Sequence, residues 1–356
     1  MSTTDINKDI DLCLLKYITN NCCDFNVDET ATLIYNDSKE RTDKRTYKYE
    51  IIQERLAAIE RYRAELKELL KLPLMKQRSE EWFEARKSRL TASDLYDAVK
   101  GGNVSIKLAK KKANIIVDTI NYNAIPALKW GTMFEPMATR CYSQKMNNID
   151  IHDFGLICDK ENKHFGASPD GINELGIMLE IKCPYSRKIV DGVIPDKYKM
   201  QIQGQLAVCK LKECDYIECI FKSLESEDEY LAIDHTTTKH GVIAEYYNSK
   251  GEYVYYYSDA DKTPKECVED ICDYNNNFKE NLKFSKYTFW RLDEMIIQRV
   301  VFNPITWETI VPKIDAFWEK VEEYKMLPIE IGIKKYKFVD DDDDDDVNAN
   351  ATTSRK

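Results

Sequence analysis

The sequence predicts an α/β fold: a central mixed β-sheet flanked by helices and preceded by a helical N-terminal extension. Three observations carry that reading. The first 75 residues are charged and patterned at helical spacing. From residue 155 onward, short runs rich in β-branched and aromatic residues are bounded by Gly, Pro and Asp. Between two of those runs, Tyr198 to Cys209 returns to helical spacing, so strands and helices interleave. With 356 residues the chain can bury one large core or two modest ones. Its 43% apolar and 32% charged content is that of a folded protein.

The elements follow in order. Tyr49 to Leu70 places apolar residues at helix spacing and stops before Pro73. Ser79 is an N-cap for a helix through Arg86, with Trp82 and Phe83 expected to face inward. Thr91, Ala92 and Ser93 open another helix, and Gly131 to Met146 reads as a third. Strands are expected at 155–159, 165–168, 177–183, 215–221 and 253–257. The closing stretch Ile314 to Val321 is helical, and the Asp340 to Asp346 run reads as a solvated tail. The resulting division is a helical extension over 1–75, a core over 76–222, an irregular Tyr-rich insertion over 223–285, a return to the core over 286–338 and an acidic tail over 339–356.

Several classes are excluded. No apolar run approaches the roughly 20 residues of a membrane span. Met1 to Lys8 lacks a basic-then-apolar leader. Eleven cysteines, scattered without a paired CxxC frame, read as reduced and mostly buried thiols, which points to the cytoplasm. The formal charge of −10 argues against a general nucleic-acid coat, and the remainder is still acidic without the tail. Contact with DNA would require a local cationic groove or a bound metal.

The chemistry concentrates in Ser168-Pro169-Asp170-Gly171 and Leu179-Glu180-Ile181-Lys182. Period-two geometry puts Glu180 and Lys182 on one strand face, with Leu179, Ile181 and Cys183 on the other. A loop over 171–176 would bring Asp170 beside Glu180 across a hairpin. A lone Glu-x-Lys is usually a solvent-facing strand edge, but the upstream aspartate at hairpin distance makes the trio a candidate site. Carboxylates suit Mg²⁺, with Mn²⁺ able to substitute, and such a cation lowers the pKa of its bound water. Lys182 would position that water, so the trio is what a metal-dependent phosphodiester hydrolase needs. The four histidines have no neighbouring ligand at zinc spacing.

Other residues join as candidates. Glu135 is a further carboxylate, or a residue placed to suit a helix N-terminus. Arg86 and Arg89, with Thr91 and Ser93 at a helix start, form a candidate phosphate clamp; surface arginines beside an ordinary N-cap is the alternative. Gln201 and Gln203 cannot share a helix face, so one reaches the site and the other packs elsewhere. Lys107, Lys110, Lys111 and Lys112 read as a solvated helix face.

Taken together, Trp82…Arg86…Thr91-Ala92-Ser93, Gly131-x-x-x-Glu135, Ser168-Pro169-Asp170-Gly171, Glu180-x-Lys182 and Tyr198-x-x-Gln201-x-Gln203 occur in one order. They resemble the bacteriophage lambda exonuclease and YqaJ-like viral recombinase family of the PD-(D/E)xK nucleases. The resemblance covers 75–222 and returns weakly over 286–325, around Trp290 and Phe317-Trp318-x-x-Val321. It implies a restriction-endonuclease-like core with Asp170, Glu180 and Glu135 at the metal, Lys182 as catalytic lysine and Gln201 in the active site. Arg86 and Ser93 match the family's 5′-phosphate pocket. The implied activity is 5′→3′ digestion of double-stranded DNA ends, leaving 3′ overhangs for viral recombination, replication or repair. A single-strand annealing protein as partner and a homo-oligomer, a trimeric ring, come from the same resemblance. The extension and composition are in the style of large cytoplasmic DNA viruses, which places the chain in a host cytoplasm or viral replication compartment. A structure-specific endonuclease on the same core, or an idle DNA-end-binding module, stays open.

Overall fold

A computed structural model describes residues 3–18, 24–40, 47–73, 75, 77, 79–116, 125–259, 261–277 and 281–328. The acidic tail lies outside the described residues. Three helices come first: α1 (Thr3–Leu14), α2 (Val27–Glu40) and α3 (Tyr49–Leu69). Ile52, Leu56, Ile59, Leu66 and Leu69 fall on one stripe of α3 and are buried, as their spacing requires. Next come α4 (Glu80–Lys87), β1 (Leu90–Thr91), a 3₁₀ turn (Ala92–Asp94), α5 (Leu95–Lys100), α6 (Gly102–Lys112) and α7 (Pro126–Lys145). Ser79 caps α4, its Oγ accepting from the Trp82 N–H at 3.2 Å. Phe83, expected inside, is 52% exposed, because one turn of so short a helix cannot turn two consecutive residues toward the core.

The remaining elements are β2 (Ile151–His152), β3 (Ile157–Cys158), β4 (Phe165–Ala167), β5 (Gly171–Asn173), β6 (Met178–Lys182), α8 (Asp196–Cys209), β7 (Glu213–Ser223), α9 (Glu227–Leu231), β8 (His240–Tyr247), β9 (Tyr253–Tyr257), α10 (Pro264–Asn277), β10 (Lys283–Val301) and α11 (Pro304–Lys325). A seven-stranded mixed sheet runs in the order β2-β5-β6-β7-β10-β8-β9, and a small sheet in the order β1-β4-β3. β5 and β6 form an antiparallel hairpin, and α8 then crosses over so that β7 lies parallel to β6. This is the helix-flanked α/β core that the motifs anticipate.

Residues 223–285 continue the same sheet: β8 pairs with the first half of the 19-residue β10, and β7 with the second. Leu179, Ile181 and Cys183 belong to the core shared with α7 and the N-terminal helices, whereas Met178 packs with the core under α8. The alternation read from β6 thus separates two cores. Gly176, at a φ of +73°, closes the β5–β6 hairpin, and a Cβ there would stand 2.4 Å from the Tyr62 carbonyl of α3.

A buried charge network ties the N-terminal helices to the sheet. Arg55 of α3 bonds Asp11 of α1 at 2.8 Å and Glu213 of β7 at 2.5 Å. Arg299 of β10 bonds Asp215 at 2.7 Å, Glu213 at 2.5 Å and Asp11 at 3.2 Å. Tyr142 of α7 donates to Asp215 at 2.7 Å and accepts from Asn173 of β5 at 3.0 Å. Removing one partner strands buried charge, so Arg299→Ala is expected to cost about 3–5 kcal/mol. Lys71→Ala, which breaks an exposed pair with Glu68, should leave stability nearly unchanged. Urea midpoints of the two variants check the contrast.

Candidate active site

Antiparallel pairing of Gly171 with Leu179 leaves Asp170 opposite Glu180 across the hairpin. Gly171 permits this approach, since a Cβ would stand 2.5 Å from Ile151 on β2. The turn is held by Asn173, whose Oδ1 accepts the N–H groups of Leu175 and Ile177 at 3.0 and 3.1 Å. One Asp170 oxygen accepts from the Ile181 N–H at 2.7 Å.

Glu180 is wholly buried on an interior strand, which excludes the solvent-facing-edge reading. Gln201 Nε2 donates to its Oε1 at 2.7 Å, and Gln205 Nε2 to its Oε2 at 2.7 Å. These glutamines are four apart on α8 and therefore share a face. Gln203, on another face, donates to the Val301 carbonyl and accepts the Asn303 N–H, fastening α8 to the start of α11. Lys182 Nζ lies 2.5 Å from Glu180 Oε1 and 4.8 Å from the Tyr198 ring centroid. Glu135 sits in the third turn of α7, because the helix begins at Pro126 rather than at Gly131. It lies too far along the helix to be explained by the N-terminus, and its negative charge acts on Asp170.

The electrostatics follow from this crowding. Burial, then the negative charges of Glu180 and Glu135, push the Asp170 carboxyl well above the usual range, against the pull of Lys182. Burial lowers Lys182, but Glu180 and Asp170 override it and hold the ammonium above its ordinary value. Among the described residues, no group of three or more His, Cys, Asp or Glu side chains is arranged to hold a metal ion. Asp170, Glu180 and Glu135 therefore do not form a closed ligand set by themselves.

The second cluster lies on α4 and the following turn. Arg86 stacks 4.2 Å over Trp82 and donates to Ser93 Oγ at 3.1 Å; Thr91 Oγ1 is 3.1 Å from Ser93 Oγ. Lys112 lies under this group, 3.1 Å from Asp94 Oδ2 and 3.1 Å from the Arg86 carbonyl. Burial lowers Arg86 and Lys112, and Asp94 only partly restores them. Asp94 stays below its usual range, since Lys112 and Arg86 outweigh its burial. Arg89 turns away from the cluster to the Ala85 carbonyl and Ser88 Oγ, both at 3.1 Å. Trp82 Nε1 donates to Ser168 Oγ at 3.2 Å, joining this cluster to the loop that carries Asp170.

Sequence reasoning missed Gln205 and Lys112. The i, i+4 step from Gln201 was the available signal for the first. Lys112 was grouped with the solvated lysines, yet only 10% of its side chain is exposed.

Fold and site together define an α/β protein whose interior strand carries Glu180 and Lys182 beside Asp170. Residues 81–212 match the family model of the YqaJ-like viral recombinase domain. An uncharacterized protein, R354, of Acanthamoeba polyphaga mimivirus is 26% identical over 362 residues, covering 88% of this chain and 64% of its own length. The chain thus spans under two thirds of that relative. Among solved structures, an alkaline exonuclease from Laribacter hongkongensis aligns at 20% identity and a TM-score of 0.43, covering 69% of this chain and 93% of its own. A phage-related exonuclease from Haemophilus somnus aligns at 12% identity and a TM-score of 0.34, covering 67% and 93%. Likenesses this loose carry no residue roles across.

The Asp170 environment has a measurable consequence. A carboxyl whose folded pKa is raised favours folding below its unfolded value near 4 and loses that contribution as pH rises through the folded value. Asp170→Asn should therefore stabilise the metal-free protein by about 1–2 kcal/mol at pH 8. The gain should vanish near pH 4, as read from thermal unfolding at both pH values.

Proposed function

We propose that the chain is a metal-dependent exodeoxyribonuclease acting 5′→3′ on double-stranded DNA ends and leaving 3′ single-stranded overhangs. The observation that carries this reading is the Asp170–Glu180–Lys182 cluster, joined through Trp82 to the Arg86–Ser93 cluster. The YqaJ-like viral recombinase domain over 81–212 supports it.

The donor set fits Mg²⁺ or Mn²⁺: Asp170 and Glu180 are hard oxygen donors, and Mg²⁺ is commonly held by one or two carboxylates plus water and phosphate oxygens. Mutual repulsion at Asp170 is what a cation would relieve. Gln205 Oε1 adds a buried acceptor without a partner among the described residues. Glu135 contributes charge from α7. A bound divalent cation supplies Lewis-acid stabilisation of the phosphoryl oxygens and a more acidic water.

The protein's own groups divide the remaining work. Lys182 stays an ammonium at neutral pH, so it donates hydrogen bonds and offsets charge on the phosphoryl oxygens rather than accepting a proton. Gln201 and Gln205 fix the Glu180 carboxylate in one orientation, sparing reorganisation during reaction. Arg86, Ser93 and Thr91 receive the terminal 5′ phosphate, with Lys112 adding positive charge behind them. Arg89 lies outside that group. The setting proposed is a host cytoplasm or viral replication compartment; no described helix is long and apolar enough to cross a membrane. A homo-oligomer and a single-strand annealing partner belong to the same proposal.

End-labelled linear duplexes with and without a 5′ phosphate, incubated with Mg²⁺, test the reading. Mononucleotide release from phosphorylated 5′ ends is expected, with a preference that Arg86→Ala erases. Lys182→Ala should lower turnover by about 10²–10³-fold while DNA binding persists. Cleavage of a covalently closed circle at the same rate would assign the site to an endonuclease instead.

A further inference from the structure

The tyrosines of 223–285 play no part in the chemistry above, yet they are ordered relative to it. Tyr253 and Tyr255 project from one face of β9, and Tyr247 stands opposite Tyr253 on β8. The Tyr253 and Tyr255 rings are 6.1 Å apart and nearly parallel, at 10°; Tyr247 and Tyr253 are 4.9 Å apart. All three are half-buried, so the row is part of the surface. Lys129, in the first turn of α7, holds its ammonium 3.9 Å over the Tyr253 ring.

This face is also cationic at its rim. Lys283 pairs with Tyr247 and Lys286 with Glu245, which puts both on the tyrosine side of β10, and both are exposed. Glu245, the carboxylate on that face, is already engaged by Lys129 at 2.7 Å and by Ser285 at 2.9 Å. Glu252 lies beyond, in the β8–β9 turn, and accepts from Asn248. Two buried polar groups here have no hydrogen-bond partner among the described residues: Trp130 Nε1 and Tyr255 Oη.

Chain neighbours link the row to the proposed cleavage centre. Tyr185, three residues past Lys182 and 56% exposed, meets Trp130 edge-on at 5.4 Å. Trp130 adjoins Lys129, which covers Tyr253. Parallel aromatic faces bordered by lysines are the chemistry that holds single-stranded nucleic acid, through base stacking and backbone charge.

We propose that Tyr247, Tyr253 and Tyr255, with Lys129, Lys283 and Lys286, form a stacking platform for single-stranded DNA. It takes the strand that the nuclease spares, and in that respect rests on the function proposed above. Bases lie on the tyrosine rings while Lys283 and Lys286 meet the phosphates, and Lys129 holds Tyr253 in place.

Fluorescence anisotropy of a labelled oligothymidylate with the full-length protein in EDTA tests this without catalysis. The Tyr247→Leu/Tyr253→Leu double variant, which keeps apolar bulk on the sheet, should lose single-strand affinity by about tenfold or more. Affinity for a blunt duplex should change by less than about threefold. Tyr247→Phe/Tyr253→Phe should bind as wild type, because the ring and not the hydroxyl does the stacking. Lys283→Gln/Lys286→Gln should flatten the salt dependence by about one unit of log–log slope. Wild-type affinity in the leucine variant overturns the proposal, as does an equal loss for duplex. So does a change confined to sedimentation, which would give the face to a protein. The two readings fail separately: wild type that binds oligothymidylate through these tyrosines yet degrades no duplex refutes only the nuclease.

Discussion

The fold depends on a set of charges that water cannot reach. Arg55 and Arg299 are shared among Asp11, Glu213 and Asp215, five side chains from two helices and two strands. Attraction alone is a poor reason for such a group, since desolvation consumes most of it. Its value lies in geometry. Every carboxylate needs a guanidinium fork in one position, so α1, α3, β7 and β10 can assemble in one arrangement only. Tyr142 and Asn173 extend that demand to α7 and β5, the elements that carry Glu135 and follow Asp170.

The Asp170–Glu180–Lys182 cluster inherits this rigidity. β6 is clamped between β5 and β7, and α8 delivers two amides to the two oxygens of one buried carboxylate. A carboxylate so held cannot rotate to escape its neighbour, and the strain of like charges falls on Asp170 instead. The site stores an electrostatic imbalance that a hard cation would settle. Trp82 shows the same economy on the other side, stacking under Arg86 while bonding the Ser168 hydroxyl.

Much of this was legible in the sequence because it obeys short-range periodicity. Alternation along β6, the cap at Ser79 and the hairpin that brings Asp170 to Glu180 are each set by a few adjacent residues. What escaped depends on distant partners. β8 and β10 were not expected, because paired polar side chains such as Glu245 and Arg299 interrupt the apolar pattern and find their counterparts far along the chain. Lys112 looked solvated until Asp94 and the Arg86 carbonyl gave it an interior home. Phe83 and the start of α7 were misplaced for a simpler reason: helix boundaries and facing positions are poorly fixed by composition near a terminus.

β10 has a consequence of another kind. Its two halves serve different neighbours, β8 before Trp290 and β7 after it, with overlap only at Trp290 and Arg291. A protein that began this strand at Trp290 would keep the interior strands and both clusters of reactive groups. Lengthening one ribbon therefore lets a lineage graft an entire new wing, helix and aromatic row included, without disturbing older architecture.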